Sequence, residues 1–159
     1  MIATADLKPN PRNPNKHPDK QIALLAKIIA AQGWRAPITV SNRSGLIVRG
    51  HGRLAAALKL GCEQCPVDYQ DYADDAAEWA DILADNKLAE LGDWDMPMLK
   101  DVLEDLDTGA FDMDLTGFDT GEIEQLMSQF HVEPEISESA DSKSTELSAN
   151  ECPKCGFQW

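Results

Sequence analysis

The sequence predicts a small α/β (α+β) domain, followed by acidic helices and a tail too polar to pack. Three observations carry this. Short β-branched runs interleave with amphipathic helical runs through residue 72. From residue 73 the pattern is helical only, and residues 132–150 combine Ser and acids with few apolar side chains. The 159 residues, 43% hydrophobic and 26% charged, suffice for one ordinary domain with a modest core. The expected organisation is an α/β core over 1–72, a helical extension of the same domain over 73–131, a disordered acidic linker over 132–150 and a CxxC tail over 151–159.

Residues 6–18, DLKPNPRNPNKHP, are rich in Pro and Asn and read as an extended, turning segment. A helix follows, with Asp19 as the expected N-cap, an apolar stripe of Ile22, Leu25, Ala26 and Ile29, and Gly33 at its end. Pro37–Val40 and Leu46–Val48 read as the two strands of a hairpin around the turn Ser41–Gly45. After Gly50-His51-Gly52-Arg53 comes a helix over Leu54–Leu60, closed by Gly61, and Cys65–Tyr69 reads as a third strand. A long helix runs from Asp74 to about Leu91, with Ala76, Trp79, Ala80, Leu83, Ala84, Leu88 and Leu91 as its expected packing face. Asp93 or Asp95 caps a further helix to Leu106, and Asp119 with Glu122 forms a capping box for a last helix to about Phe130. Trp34, Trp79 and Trp94 are expected in packing roles.

No run of about 18 uncharged apolar residues occurs, so no membrane span is expected. Met1–Asn15 lacks an apolar signal-peptide core, so the chain is expected in the cytoplasm. The formal net charge of −14 argues against a protein that coats nucleic acid. That charge is unevenly spread. Residues 1–61 carry ten Lys/Arg and two acids, a net of +8. Residues 62–159 carry four Lys and twenty-six acids, a net of −22. This asymmetry fits a basic, anion-binding part joined to acidic helices.

The strand–Gly50-His51-Gly52-Arg53–helix arrangement is the most informative feature. Two glycines let backbone N–H groups approach a ligand, and the helix start adds unpaired donors and the positive dipole end. Arg53 adds a planar charged fork suited to phosphate, and His51 a donor or a base. Composition alone also admits a turn built only for geometry.

With these residues in view, Leu7 to about Met127 resembles the ParB-like N-terminal domain, also called the ParB/sulfiredoxin superfamily or ParB-like nuclease domain. The resemblance rests on Leu7–His17 (LKPNPRNPNKH), Gly33–Val40 (GWRAPITV), Ile47–Gly61 (IVRGHGRLAAALKLG), Pro66-Val67, Ala84–Asp95 (ADNKLAELGDWD) and Phe111–Asp119 (FDMDLTGFD). It is greatest for the subgroup found in phage and mobile-element proteins and fused to DNA methyltransferases. It implies a domain with a short mixed sheet whose glycine–arginine turn holds the phosphates of a nucleoside triphosphate, CTP or ATP, with Mg²⁺. Gly50 and Arg53 match the family pattern GERRxRA, whereas His51, Gly52 and Ala55 stand where it has Glu, Arg and Arg. Asn86, after Asp85, resembles the Asn of the segment ENxQR that supports Mg²⁺ and phosphate. Asn13-Pro14 and His17 match a first box in which Asn15 replaces a usual Arg, with Arg12, Lys16 and Arg49 as further basic candidates.

The cysteines form two CxxC pairs, Cys62/Cys65 and Cys152/Cys155. Cys152-Pro-Lys-Cys155-Gly looks like one knuckle of a zinc ribbon. Structural Zn²⁺ needs four ligands, so the tail supplies half a site. Cys62 and Cys65 read as two buried or half-buried thiols.

The expected function is a nucleotide-binding module acting in phage or plasmid DNA transactions such as partition, modification or regulation. The alternatives are a nuclease or ATP-dependent phosphotransferase, with His51 and Asp85 or Glu90 as acid/base candidates, and a recruiting subunit for a DNA methyltransferase. Expected partners are the nucleotide, DNA without non-specific coating, a methyltransferase or terminase, and a second copy in a homodimer. The chain has no methyltransferase catalytic motif, and no helix-turn-helix is recognised after the domain.

Overall fold

The structure, a computed structural model, describes residues 1–130. Its elements run β1 (Ile2–Ala3), a 3₁₀ turn (Thr4–Asp6), α1 (Asp19–Gln32), β2 (Ile38–Ser41), β3 (Ile47–Arg49), α2 (His51–Leu60), β4 (Gln64–Cys65), β5 (Val67–Gln70), α3 (Asp75–Glu90), α4 (Met96–Leu106), a second 3₁₀ turn (Met113–Thr116) and α5 (Thr120–Gln129). The expected linker and CxxC tail, with Cys152 and Cys155, lie outside the described residues.

The sheet is mixed, as expected. β2 lies between antiparallel β3 and parallel β5 in the order β3-β2-β5. A parallel neighbour needs a crossover, and α2 supplies it. The expected third strand is two strands broken at Pro66. Cys65 pairs with Ile2 of β1, whereas Val67 pairs with Ile38 of β2. Proline donates no N–H, and the Pro66 carbonyl accepts from Ile38 at 2.9 Å, so the chain changes partners there. β1 carries no pattern of its own and exists through pairing with Gln64 and Cys65, more than sixty positions away.

Leu7, Ile38, Val40, Ile47, Leu54, Ala57 and Cys65 form the core, with Ile2, Trp34, Cys62 and Val67 packed against it. Trp34 thus takes its expected role. Cys65 is a fully buried free thiol whose Sγ lies 3.2 Å from Thr4 Oγ1, and Cys62 is half-buried. Among the described residues no group of three His, Cys, Asp or Glu is placed to hold a metal ion. No helix of the described residues is long and apolar enough to cross a membrane.

Helix ends follow local chemistry, with two corrections. Asp19 is the first residue of α1, and extended Pro18 occupies the cap position. Proline presets the entry, and Asp19 faces the helix dipole instead of capping. α2 begins at His51, so His51, Gly52 and Arg53 form its first turn rather than a loop before it. It closes in a Schellman motif, with Cys62 N–H on the Ala57 carbonyl and Gly61 N–H on that of Leu58. Asp74 caps α3, Asp95 caps α4, and Asp119 with Glu122 forms the expected capping box of α5.

The packing face of α3 is also corrected. Trp79, Leu83, Leu88 and Leu91 are exposed, and Ala76, Ala80 and Ala84 with them. The inward residues are Glu78, 2% exposed, and Ile82. The hairpin surface beneath is polar. Ser41 Oγ donates to Glu78 Oε2 at 2.7 Å, and Ser44 Oγ to Oε1 at 2.8 Å. Arg43 meets Asp75 at 2.8 Å, and Arg49 meets Asp81. Buried polar groups require partners, so the carboxylate face of α3 turns inward and its apolar face outward. Trp94 is likewise a surface residue, edge-on to Phe118 with centroids 5.7 Å apart.

Candidate functional site

The most informative cleft, about 170 Å³, opens over the start of α2. Asn13, His17, Leu25, Val48, Arg49, Gly50, His51, Gly52, Arg53, Asp85 and Asn86 line it. Its floor begins at Gly50, at φ 94°. Only glycine adopts that region without strain, and a Cβ here would lie 3.0 Å from an Arg53 guanidinium nitrogen and 3.4 Å from Ile38 Cα. The bend sets Gly50 as the N-cap of α2 without a side-chain cap. The first intrahelical bond is Leu54 N–H to the Gly50 carbonyl, 3.0 Å. The amides of His51, Gly52 and Arg53 are thus first-turn donors at the positive end of the helix dipole.

Gly52 is buried under His17. A Cβ there would approach His17 Nδ1 at 3.1 Å and Leu25 Cδ1 at 3.2 Å. This close approach brings the Pro/Asn-rich segment onto the helix start. His17 Nδ1 is 3.0 Å from Gln21 Oε1. His51 Nε2 accepts the backbone N–H of Asn10 at 3.1 Å, so the ring proton resides on Nδ1. Burial first, then the neighbouring His17, lowers the His51 pKa below its ordinary value, and the ring is neutral at neutral pH.

The charged groups are restrained. Arg53 donates to the Pro37 carbonyl, which holds its guanidinium beside Gly50. Arg49 bonds to Asp81 through two nitrogens and lies 3.7 Å from Asp85. Tyr72 donates to Asp81 at 2.7 Å. Burial raises the Asp81 pKa, but hydrogen bonds from Arg49 and Tyr72 outweigh it, and the carboxyl sits below its ordinary value. Burial and the bond to Asp81 push the Tyr72 pKa well above its usual range. Asn86 donates to the Ile82 carbonyl at 2.8 Å and accepts from Asn15.

Seven of the sequence-predicted residues therefore meet in one cleft: Arg49, Gly50, His51, Gly52, Arg53, Asp85 and Asn86. Three others do not. Arg12 stacks on Trp79 of α3, 3.8 Å from the ring centroid, and Lys16 is exposed outside the cleft lining. Glu90 pairs with Lys87 at 2.8 Å in the next depression along α3. Asn13, His17, Leu25 and Val48 line the cleft without having been singled out as site residues. The first-box pattern held the signal for Asn13 and His17. Leu25 and Val48 belong to ordinary apolar runs that give none.

The arrangement suits an oxyanion. Backbone donors and Arg53 converge on one side, and both glycines leave cradles that a Cβ would fill. Asp85 lines the same cleft with a half-exposed carboxylate, 3.7 Å from Arg49. A hard cation could accept its oxygen while neutralising a polyphosphate.

A family model described as the ParB-methyltransferase HTH domain matches residues 97–154. This corrects the expectation that no helix-turn-helix follows. Within the described part of that match, α4 ends at Leu106 and α5 begins at Thr120, with residues 107–119 between them, so no tight turn joins these two helices. Among solved structures, the C-terminally truncated chromosome-partitioning protein ParB from Caulobacter crescentus, complexed with CTP-gamma-S, has a similar fold. The TM-score is 0.62 at 20% identity, covering 79% of this chain and 74% of that one. Among curated proteins, the ParB-like nuclease domain-containing protein YnaK of Escherichia coli (strain K12) is 36% identical over 62 residues, 39% of this chain and 70% of that protein. The Gly50–Arg53 turn thus sits in a ParB-type fold, and the chain belongs to the ParB-like nuclease domain family.

Proposed function

We propose that this protein is a ParB-like nucleotide-binding module, holding the phosphates of CTP or ATP at the start of α2 and acting in phage or plasmid DNA transactions. The observation that carries this reading is left-handed Gly50, which aims the first-turn amides of α2 and Arg53 into one cleft. The fold relative complexed with CTP-gamma-S supports a nucleotide as the ligand class. Arg53 and the amides would hold phosphate oxygens, and Asp85 with Asn86 would hold Mg²⁺, whose role is to neutralise phosphate charge. The family description that names a methyltransferase supports a DNA-processing partner of that kind.

The enzyme reading finds less support. The lone pair of His51 Nε2, which a general base would use, is already taken by the Asn10 amide. Glu90 lies outside the cleft lining.

Calorimetric titration with CTP, ATP and GTP in the presence of Mg²⁺ tests the proposal. One nucleotide is expected to bind, and Arg53→Ala to weaken it about tenfold or more, the loss of one charge-assisted contact. Binding of none of the three overturns it. Turnover of the bound nucleotide that disappears in His51→Ala would favour the enzyme reading.

A further inference from the structure

Residues 97–130 are the described part of the segment that matches a helix-turn-helix family, and they have the wrong charge for DNA. They carry nine acids, one Lys and no Arg, and the whole match, 97–154, carries fifteen acids and three Lys. Backbone binding to DNA requires Lys and Arg to replace condensed counterions. The one Lys, Lys100, is engaged by Glu104 at 2.7 Å and Asp101 at 3.7 Å.

α4 has two distinct faces. Leu99, Leu103 and Leu106 form its inner stripe, with Leu103 2% exposed. A second stripe follows the i, i+3, i+4, i+7 spacing through Met98, Asp101, Val102 and Asp105. Met98 is 64% exposed and Val102 50%, and Trp94, 63% exposed, stands at the start of the helix. Trp94 touches Phe118, which lines with Met96, Leu99 and Leu126 an apolar groove of about 230 Å³. Trp and Met are enriched at protein interfaces, and methionine adapts to varied partners. The acids between and beside them set the sign of the partner.

We propose that the outer face of α4 is a protein-docking surface for a basic amphipathic helix of another protein. The apolar side of that helix would cover Trp94, Met98 and Val102, and its Lys or Arg side chains would meet Asp101 and Asp105. Charge complementarity selects this occupant. A second copy docking through the same face would set Asp101 and Asp105 against acids of the same stripe, and residues 131–159 carry six acids and two Lys. The inference does not rest on nucleotide binding.

The test uses the full chain and a fluorescent synthetic helix of Leu and Lys in amphipathic order, followed by anisotropy at physiological salt. Wild type is expected to bind it. Met98→Asp with Val102→Asp makes the face more acidic and less apolar, and is expected to weaken binding about tenfold or more. Asp101→Lys with Asp105→Lys keeps the apolar stripe and should weaken binding comparably. Unchanged or tighter binding by the Met98/Val102 variant reduces the effect to bulk charge attraction and overturns the proposal. Absence of binding overturns it too, as does preferential binding of a DNA duplex, or self-association in sedimentation that the Met98/Val102 variant abolishes. Both variants change exposed side chains, and circular dichroism verifies that they fold.

Discussion

Gly50 serves the cleft twice, through its left-handed backbone and through the space its missing Cβ leaves for Arg53. Gly50→Ala is expected to cost about 1–2 kcal/mol in denaturant unfolding, the penalty of a side chain in that region. It should also impair ligand binding, because Arg53 must move. Gly52→Ala carries no such backbone strain. Its added methyl would displace the His17 ring and Leu25, so its effect should fall on binding more than on stability. His51 gives a pH prediction with a definite sign. Its folded pKa lies below the ordinary value of 6.5, so protonation favours the unfolded chain. The stabilisation is present above pH 6.5 and is lost as pH falls through the folded pKa, when Nε2 gains a proton and releases the Asn10 amide. Urea midpoints measured from pH 7.5 down to 5 should fall in wild type more than in His51→Gln, which keeps an acceptor and does not titrate. Equal declines would remove His51 as the cause. The glycine turn at residues 50–53 and the helix that follows it were legible in the sequence because glycine, arginine and a helix start are local features. That His51 is tied to Asn10, forty-one residues away, was not.

Among the elements, α3 departs furthest from its sequence pattern. Periodicity identifies an apolar stripe but not which side of the helix meets the core, and here the stripe is outside. The decisive partners, Ser41, Ser44, Arg43 and Arg49, belong to a hairpin thirty or more residues earlier. They cannot be read from the helix itself. The arrangement predicts opposite outcomes on the two faces. Glu78→Ala leaves two hydroxyls without their acceptor at a nearly inaccessible site and should cost about 1–3 kcal/mol by chemical denaturation. Leu83→Lys, on the exposed apolar face, should leave the unfolding midpoint nearly unchanged. A large loss from Leu83→Lys with none from Glu78→Ala would reverse the orientation. Asp81, Asp85 and Asn86 reach the cleft region because this polar face turns inward, so the docking of α3 and the composition of the site have one cause.

Across the whole molecule, α1 links the α/β core to the later helices. Its inner stripe packs on α2, while Lys20 and Lys27 reach acids of the segment 112–119. Lys27 bonds to Asp112 and Asp114 at 2.8 and 2.6 Å, and Lys20 to Asp119 at 3.1 Å. Hydrogen bonds that Lys27 donates to both Asp carboxylates raise its pKa. All five groups are exposed, so salt screens them, with a Debye length near ~10 Å at 0.1 M and ~3 Å at 1 M. Raising salt across that range should speed amide exchange at residues 112–119 while leaving β2 and β5 unchanged. Equal responses in both segments would show that these ion pairs do not hold the junction. The split of charge at residue 61 gains a physical use here, since part of the +8 half neutralises acids of the −22 half instead of facing a ligand.

The sequence by itself determined the class of fold, the order of most elements and the capping box of α5, and it pointed to the Gly50–Arg53 turn that the proposed function uses. These depend on interactions within a turn or two of chain, which residue spacing records. Tertiary structure alone decided which face of α3 turned inward, and that Arg49 is held by Asp81 while Arg12 stacks on Trp79 outside the cleft. It also decided that His17 and Asn13 join the site. Each of these depends on hydrogen-bond and charge partners far apart in the chain, and only folding brings such groups within reach of one another.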